Sequence, residues 1–380
     1  MIEDASLQSR MAMHNQNALK IGLFAANCSS GRAVTLVPER WSASWPDNLR
    51  MARLADESGI DFLLPVARWK PYGTNGSYQH DTLETITWAT GLIASTQRIT
   101  VFGTVHAPLF NPVMAAKQMA TADLLGGGRF GLNLVVGWNE GEFEMFGIKQ
   151  RDHDARYDYA QEWIDAVKDM WSPKDNFDVD GEYIKLKAVR SNPKPAGGAR
   201  PIIMNAGMSG VGRSFAIRNC DAFFTNTIGM SAEQQAEVVK ACKAEARTHG
   251  RELDVYTTGD IVCRPNQKEA EDYHHHAIFE MADWGSVDDI LAMRKITPDT
   301  LSPEDFKKRR ELQAKGMGGV PLVGTPDHIA NQLAALVQAG LRGIAVSFVN
   351  YADELPYFVA EVLPRLERMG VRVPATPLTK

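Results

Sequence analysis

The strongest constraint on the fold is an alternation. Eight short runs rich in β-branched residues, each bounded by Gly, Asn or Asp, alternate with longer segments of 3.6-residue apolar period. The short runs are 21–26, 62–67, 99–105, 130–136, 201–206, 222–227, 255–263 and 343–349. The periodic segments are 45–58, 82–95, 111–125, 155–171, 209–219, 232–249, 326–339 and 352–369, several ending at Gly. Strands separated by helices pair in parallel, because a parallel pair needs a long crossover. Eight such units in 380 residues predict an α/β fold, a (β/α)8 TIM barrel with insertions beyond the roughly 250 residues of a bare barrel. A doubly wound open sheet is the alternative. The chain reads as a single domain over 1–380, with insertions near 172–200 and 280–321. Gly316, Gly318 and Gly319 give the second insertion the hinges of a mobile lid, or of a plain surface loop.

Composition narrows the partners. With 41 basic and 46 acidic residues, the net charge of -5 provides no field for nucleic acid or an anionic membrane. Apolar residues at 44% supply a substantial core, and no run approaches the roughly 20 apolar residues of a membrane helix. Residues 1–20, with Glu3, Asp4 and His14, read as a loose arm rather than a signal peptide. Cys28, Cys220, Cys242 and Cys263 show no C-x-x-C spacing, so a cytoplasmic, reducing location is expected.

Active sites of such barrels gather at the carboxyl ends of the strands, so polar residues there are the candidates. They include Arg68, Thr104, His106, Asn133, Trp138, Asn205, Ser209 and Asn226. No carboxylate pair matches these ends, which argues against a glycosidase or a carboxylate relay. Asn133 interrupts a run of Phe, Leu and Val, and its amide needs a partner, either a neighbouring strand or a ligand. Thr104 is an ordinary strand residue whose hydroxyl can bond the backbone. Residues 205–214 leave a strand and open a helix, and their glycines suit a phosphate, with Ser209 as a plain N-cap the other reading. G-x-G-x-x-G is absent, so a monophosphate is preferred over a dinucleotide. Arg156 and Tyr157 begin another helix, as an anion fork or a solvated charged start. His274, His275 and His276 are consecutive, whereas helical metal ligands sit four apart, and His80 and His106 lack spaced partners, so no metal is expected.

The run Gly126-Gly127-Gly128-Arg129-Phe130-Gly131-Leu132-Asn133-Leu134-Val135-Val136-Gly137-Trp138, then Gly141-Glu142-Phe143 and His153-Asp154-Ala155-Arg156-Tyr157, resembles the bacterial-luciferase-like flavin monooxygenases. Within them it is similar to the branch of pyrimidine oxygenases and dimethyl-sulfone monooxygenases, over roughly 21–366. The resemblance implies a two-component enzyme: an NAD(P)H:flavin reductase supplies reduced FMN, O2 reacts through a flavin (hydro)peroxide, and oxygen enters a small-molecule substrate. That substrate is a pyrimidine or other N-heterocycle, or a small organosulfur compound. Family FMN contacts fall on Ala67, Arg68, Asn133, Glu142, Arg156, Tyr157 and Ser209. Thr104 matches the threonine that, with Asn133, is implied to hold O2 beside the flavin, both donating hydrogen bonds. Where pyrimidine oxygenases have Ile-Lys this chain has Ala67-Arg68, while 171–177 is closer to the sulfone branch. Family habit implies a homodimer or homotetramer. The alternatives are a deazaflavin-dependent oxidoreductase on the same barrel and a non-catalytic flavin-binding protein.

Overall fold

The computed structural model describes residues 11–72, 77–315 and 319–378. Its strands are β1 (Lys20–Phe24), β2 (Phe62–Leu64), β3 (Thr100–His106), β4 (Phe130–Val135), β5 (Phe177–Asp180), β6 (Lys185–Val189), β7 (Ile202–Asn205), β8 (Ala222–Phe224), β9 (Asp254–Cys263), β10 (Val320–Gly324) and β11 (Gly343–Ser347). Helices α1 (Met11–His14), α2 (Trp45–Glu57), α3 (Thr85–Ile93), α4 (Pro112–Leu125), α5 (Glu140–Met145), α6 (His153–Trp171), α7 (Gly210–Asn219) and α8 (Ala232–Thr248) occupy the first two thirds. Then come α9 (Gln267–His275), α10 (Trp284–Met293), α11 (Pro303–Ala314), α12 (Pro326–Gln338), α13 (Tyr351–Glu361) and α14 (Leu363–Arg368).

β1, β2, β3, β4, β7, β8, β9 and β11 pair in parallel in that order, and β11 returns to β1, so the ring closes. All eight expected strands are present, in a (β/α)8 barrel rather than an open sheet. Ser, Thr and Asn cap the helices where the sequence changes period: Ser44, Asn111, Ser231 and Thr325 each accept a backbone N–H of the first turn.

A layer of aromatic rings closes the barrel interior. Phe62, Phe102 and Tyr256 point inward and meet edge to face, with centroids 5.8 and 5.9 Å apart. Each stands in register with a glycine on the next strand: Phe62 with Gly22, Phe102 with Gly131, Tyr256 with Gly343. A Cβ on those glycines would lie 2.2, 2.3 and 2.2 Å from the ring, so each ring fills the space its partner leaves. Beneath this floor Asp61 pairs with Arg372 at 2.6 Å and accepts from Asn15 and Asn17. Residues 11–20 are therefore packed against the barrel and not a loose arm.

Both insertions contain regular structure that the sequence reading left as excursions. β5 and β6 form an antiparallel hairpin, and the Glu162 carboxylate on α6 accepts three backbone N–H groups from Glu182, Tyr183 and Ile184. β10 is a ninth parallel strand. Gly259 and Asp260 of β9 pair with β11 and with β10 at once, so β10 uses the edge that β8 occupies lower down. In place of a loose lid, α10 and α11 form a helical cap whose Val287, Ile290, Leu291 and Ala314 bury Tyr72 and Tyr78. Gly316 and Gly318, read as hinges, lie outside the described residues. The expected last helix is two, α13 and α14, broken ahead of Pro364. Among the described residues no helix is long and apolar enough to cross a membrane.

The floor yields a stability prediction. Gly131→Val should lower stability by about 3 kcal/mol in thermal or chemical denaturation, and Phe102→Leu in the same chain should recover part of that loss. Additive losses would show that ring and glycine are not coupled.

Candidate active site

Strand alternation decides which side chains enter the upper half of the barrel. Phe102 and Gly131 face the axis, so two residues on, Thr104 and Asn133 do too, in register with one another. The Thr104 hydroxyl donates to the Pro65 carbonyl at 2.6 Å, and the Asn133 amide nitrogen donates to the Thr104 oxygen at 3.1 Å. A carbonyl can only accept, so the direction of both bonds is fixed from Pro65 upward. The Asn133 carbonyl oxygen is left buried without a partner. Thr104 has spent its one proton on Pro65 and has none to donate elsewhere; Asn133 keeps one N–H and its oxygen.

A cavity of about 320 Å³ opens at the carboxyl ends of the strands, lined in part by Arg68, Tyr78, Gln79, Trp138, Met208 and Asn226. Its Arg68 wall is fastened by a buried ion pair to Glu142, 2.8 Å, and the same carboxylate oxygen accepts the Trp69 N–H at 2.9 Å. Arg68 also lies over the Tyr72 ring, 4.3 Å from its centroid. Ala67 sits apart, in a cleft of about 40 Å³ beside the main cavity. The sequence reading passed over Tyr72, Tyr78 and Gln79, because the cap that brings them to the rim lies some two hundred residues away.

His106 faces Glu142 at 3.8 Å. Burial, opposed by the Glu142 charge, moves its imidazole from 6.5 to about 4, so it is neutral near pH 7.

On the opposite side of the mouth, Ser209 caps α7 by accepting the Gly212 N–H at 3.1 Å. The N-cap reading holds; the Ser209 hydroxyl also meets the Tyr157 side chain, and the first turn of a helix leaves N–H groups without intrahelical partners, an arrangement compatible with an anion. The Tyr157 hydroxyl enters the same turn; a Cβ on Gly207 or Gly212 would come within 2.7 or 2.4 Å of it. Arg156 is held by the Gly137 carbonyl at the end of β4, and its Nε is buried without a partner. The structure thus gathers Arg156, Tyr157 and Ser209 around the residues that follow β4 and β7, next to the cavity residues Ala206 and Met208.

A larger cavity, about 500 Å³, lies at the opposite end of the barrel. Its charges are spent on each other, Arg200 with Asp221 at 2.6 Å and Arg342 with Asp254 at 3.9 Å. Among the described residues no three His, Cys, Asp or Glu side chains cluster to hold a metal ion; His276 pairs with Glu280 at 2.7 Å.

Residues 19–343 match the family model described as luciferase-like monooxygenase. The chain is 30% identical to the FMNH(2)-dependent dimethylsulfone monooxygenase of Pseudomonas putida, covering 92% of this chain and 96% of that one. It is 25% identical to pyrimidine monooxygenase RutA of Escherichia coli strain K12, covering 96% and 97%. The crystal structure of DmoA from Hyphomicrobium sulfonivorans superposes with a TM-score of 0.82 at 17% identity, covering 95% of this chain and 91% of that one, a likeness of fold.

The shift of His106 sets a pH dependence. Between 6.5 and about 4 the unfolded chain takes up a proton that the folded chain refuses, so stability is complete above 6.5 and falls as pH drops toward 4. The slope from this one group is at most about 1.4 kcal/mol per pH unit. Thermal melts should show a steeper loss in that window for the native chain than for His106→Gln; equal slopes would place the acid sensitivity elsewhere.

Proposed function

The chain belongs to the luciferase-like monooxygenase family, and from that premise we propose that the rim cavity is where reduced FMN, O2 and a small organic substrate meet. The protein is a flavin-dependent, two-component monooxygenase. A separate flavin reductase, NAD(P)H-dependent in our reading, delivers the reduced cofactor. Bound reduced FMN supplies the electrons that activate O2, one atom of which goes to the substrate. The substrates we propose are those classes that the named relatives suggest, a pyrimidine-like N-heterocycle or a small sulfone.

The observation that carries this reading is the buried Asn133 amide, held in one orientation by Thr104 and Pro65 with its oxygen unpaired. An orphaned acceptor of this kind fits an N–H of a bound flavin, and the remaining Asn133 N–H can stabilise negative charge developing on oxygen. Thr104 acts through Asn133, as the residue that positions it. The phosphate of FMN fits the turn of Ser209 and the first N–H groups of α7, with Arg156 and Tyr157 beside it. Arg68, pinned by Glu142, presents a fixed positive charge to the cavity, and the cap of α10 and α11 keeps water from the reacting centre.

We also propose that the protein works in the cytoplasm, where its four buried free thiols stay reduced. A homodimer or homotetramer could pack through outer helices such as α4, where Met114, Leu124 and Leu125 are exposed.

Two measurements test the site. With reductase, NADH, uracil and dimethyl sulfone supplied, Asn133→Ala should lose about 10²-fold in product formation at saturating FMN, beyond the roughly tenfold weakening of FMN expected from its lost hydrogen bond; full product from Asn133→Ala would remove it from the reaction. Arg156→Ala and Ser209→Ala should weaken FMN about tenfold and leave riboflavin, which has no phosphate, unchanged. Equal losses for both flavins would place the phosphate elsewhere.

A further inference from the structure

We propose that Tyr78 and Gln79 form the edge of the cavity that selects the substrate, and that this edge takes a molecule with an N–H beside a carbonyl, a secondary lactam or imide, in preference to a sulfone. The inference rests on the flavin reading above and deepens it.

Gln79 lines the rim cavity with its backbone in the left-handed region, φ 52°. A non-glycine residue holds that conformation only where its surroundings insist on it, and such positions concentrate at functional sites. Here the surroundings are visible. Asp283 at the start of α10 accepts the Ser77 N–H at 2.8 Å, Ser286 accepts the Tyr78 N–H at 3.3 Å, and Gln79 N–H donates to the Ser29 carbonyl at 3.2 Å. The cap therefore holds this strained turn against the cavity.

Hydrogen bonding also decides which way the Gln79 amide points. Its nitrogen donates to the Gly31 carbonyl at 2.9 Å and to the Tyr78 hydroxyl at 3.0 Å. A carbonyl cannot donate, so the nitrogen must face Gly31, and both of its protons are used. Among the described residues no donor meets the amide oxygen. Tyr78 accepts from Gln79 and keeps its own proton; burial pushes the phenol well above its ordinary value, so it stays a neutral donor. A donor and an acceptor thus stand side by side on the wall.

A secondary lactam or imide is complementary, its carbonyl to Tyr78 and its N–H to Gln79. A sulfone brings acceptors only and would bury the Gln79 oxygen unpaired, the kind of mismatch by which hydrogen-bonding sites reject analogues. Elsewhere the wall offers Phe24, Phe224, Trp138 and Met208 as flat or apolar surface for a ring, and Arg32 and Arg68 as donors that would serve a lactam carbonyl and a sulfone oxygen alike, so the unpaired Gln79 oxygen is what separates the two.

Calorimetric titration of the protein, with and without FMN, against uracil, 1,3-dimethyluracil and dimethyl sulfone tests the proposal. Uracil should bind ~10-fold or more tightly than the other two. Tyr78→Phe and Gln79→Asn, the second chosen because Asn tolerates the left-handed backbone, should each weaken uracil ~10-fold with FMN affinity unchanged. Thermal melts confirm that both variants fold. Dimethyl sulfone or dimethyluracil binding as tightly as uracil, uracil binding indifferent to both variants, or no uracil binding at millimolar concentration would overturn it. FMN binding without discrimination sinks this edge alone. Discrimination without FMN binding leaves the edge standing and sinks the flavin reading instead.

Discussion

Closure of the barrel over a floor of aromatic rings set against glycines is the constraint on which the rest depends. Phe62, Phe102 and Tyr256 can share the axis only because Gly22, Gly131 and Gly343 yield the space opposite them. With the interior closed at that layer, the cavity above it lies at the carboxyl ends of the strands, where polar side chains from several strands converge.

Above the floor the protein uses one device twice. At Asn133 a backbone carbonyl, Pro65, fixes a hydroxyl, which fixes an amide. At Gln79 a backbone carbonyl, Gly31, fixes an amide, which fixes a phenol. Carbonyls cannot reverse their role, so each chain has one polarity and leaves known groups available to a ligand. Preorganisation of this kind lets a site act without reorienting its dipoles as the reaction proceeds. The cap supplies the second anchor, since Asp283 and Ser286 hold the turn that carries Tyr78 and Gln79.

The ring of eight strands was legible in the sequence because buried parallel strands are short β-branched runs, and the helices between them keep a clean 3.6 period. The polar interruption at Asn133 was legible for the same reason, an amide in an apolar run being conspicuous. What escaped was tertiary. β5 and β6 alternate apolar and charged residues on either side of an Asp180-Gly181 turn signal, but they are only four and five residues long, in a stretch whose Asp, Lys and Pro content reads as a loop. β10 contains Pro321, which argues against a strand in a sequence, and it forms at the sheet edge because β9 is long enough to offer it a partner. Thr104 read as an oxygen-binding donor, while its bond to Pro65 depends on how two neighbouring strands sit. Tyr78 and Gln79 lie between segments with no strong period, and their role depends on α10, distant in sequence.

A crystal structure of the protein soaked with FMN tests the central claim most directly. The account predicts the ring system in the rim cavity against Asn133, with the phosphate at Ser209 and the start of α7. Density for the flavin in the opposite cavity, between Arg200 and Arg342, or a phosphate pointing away from α7, would contradict it.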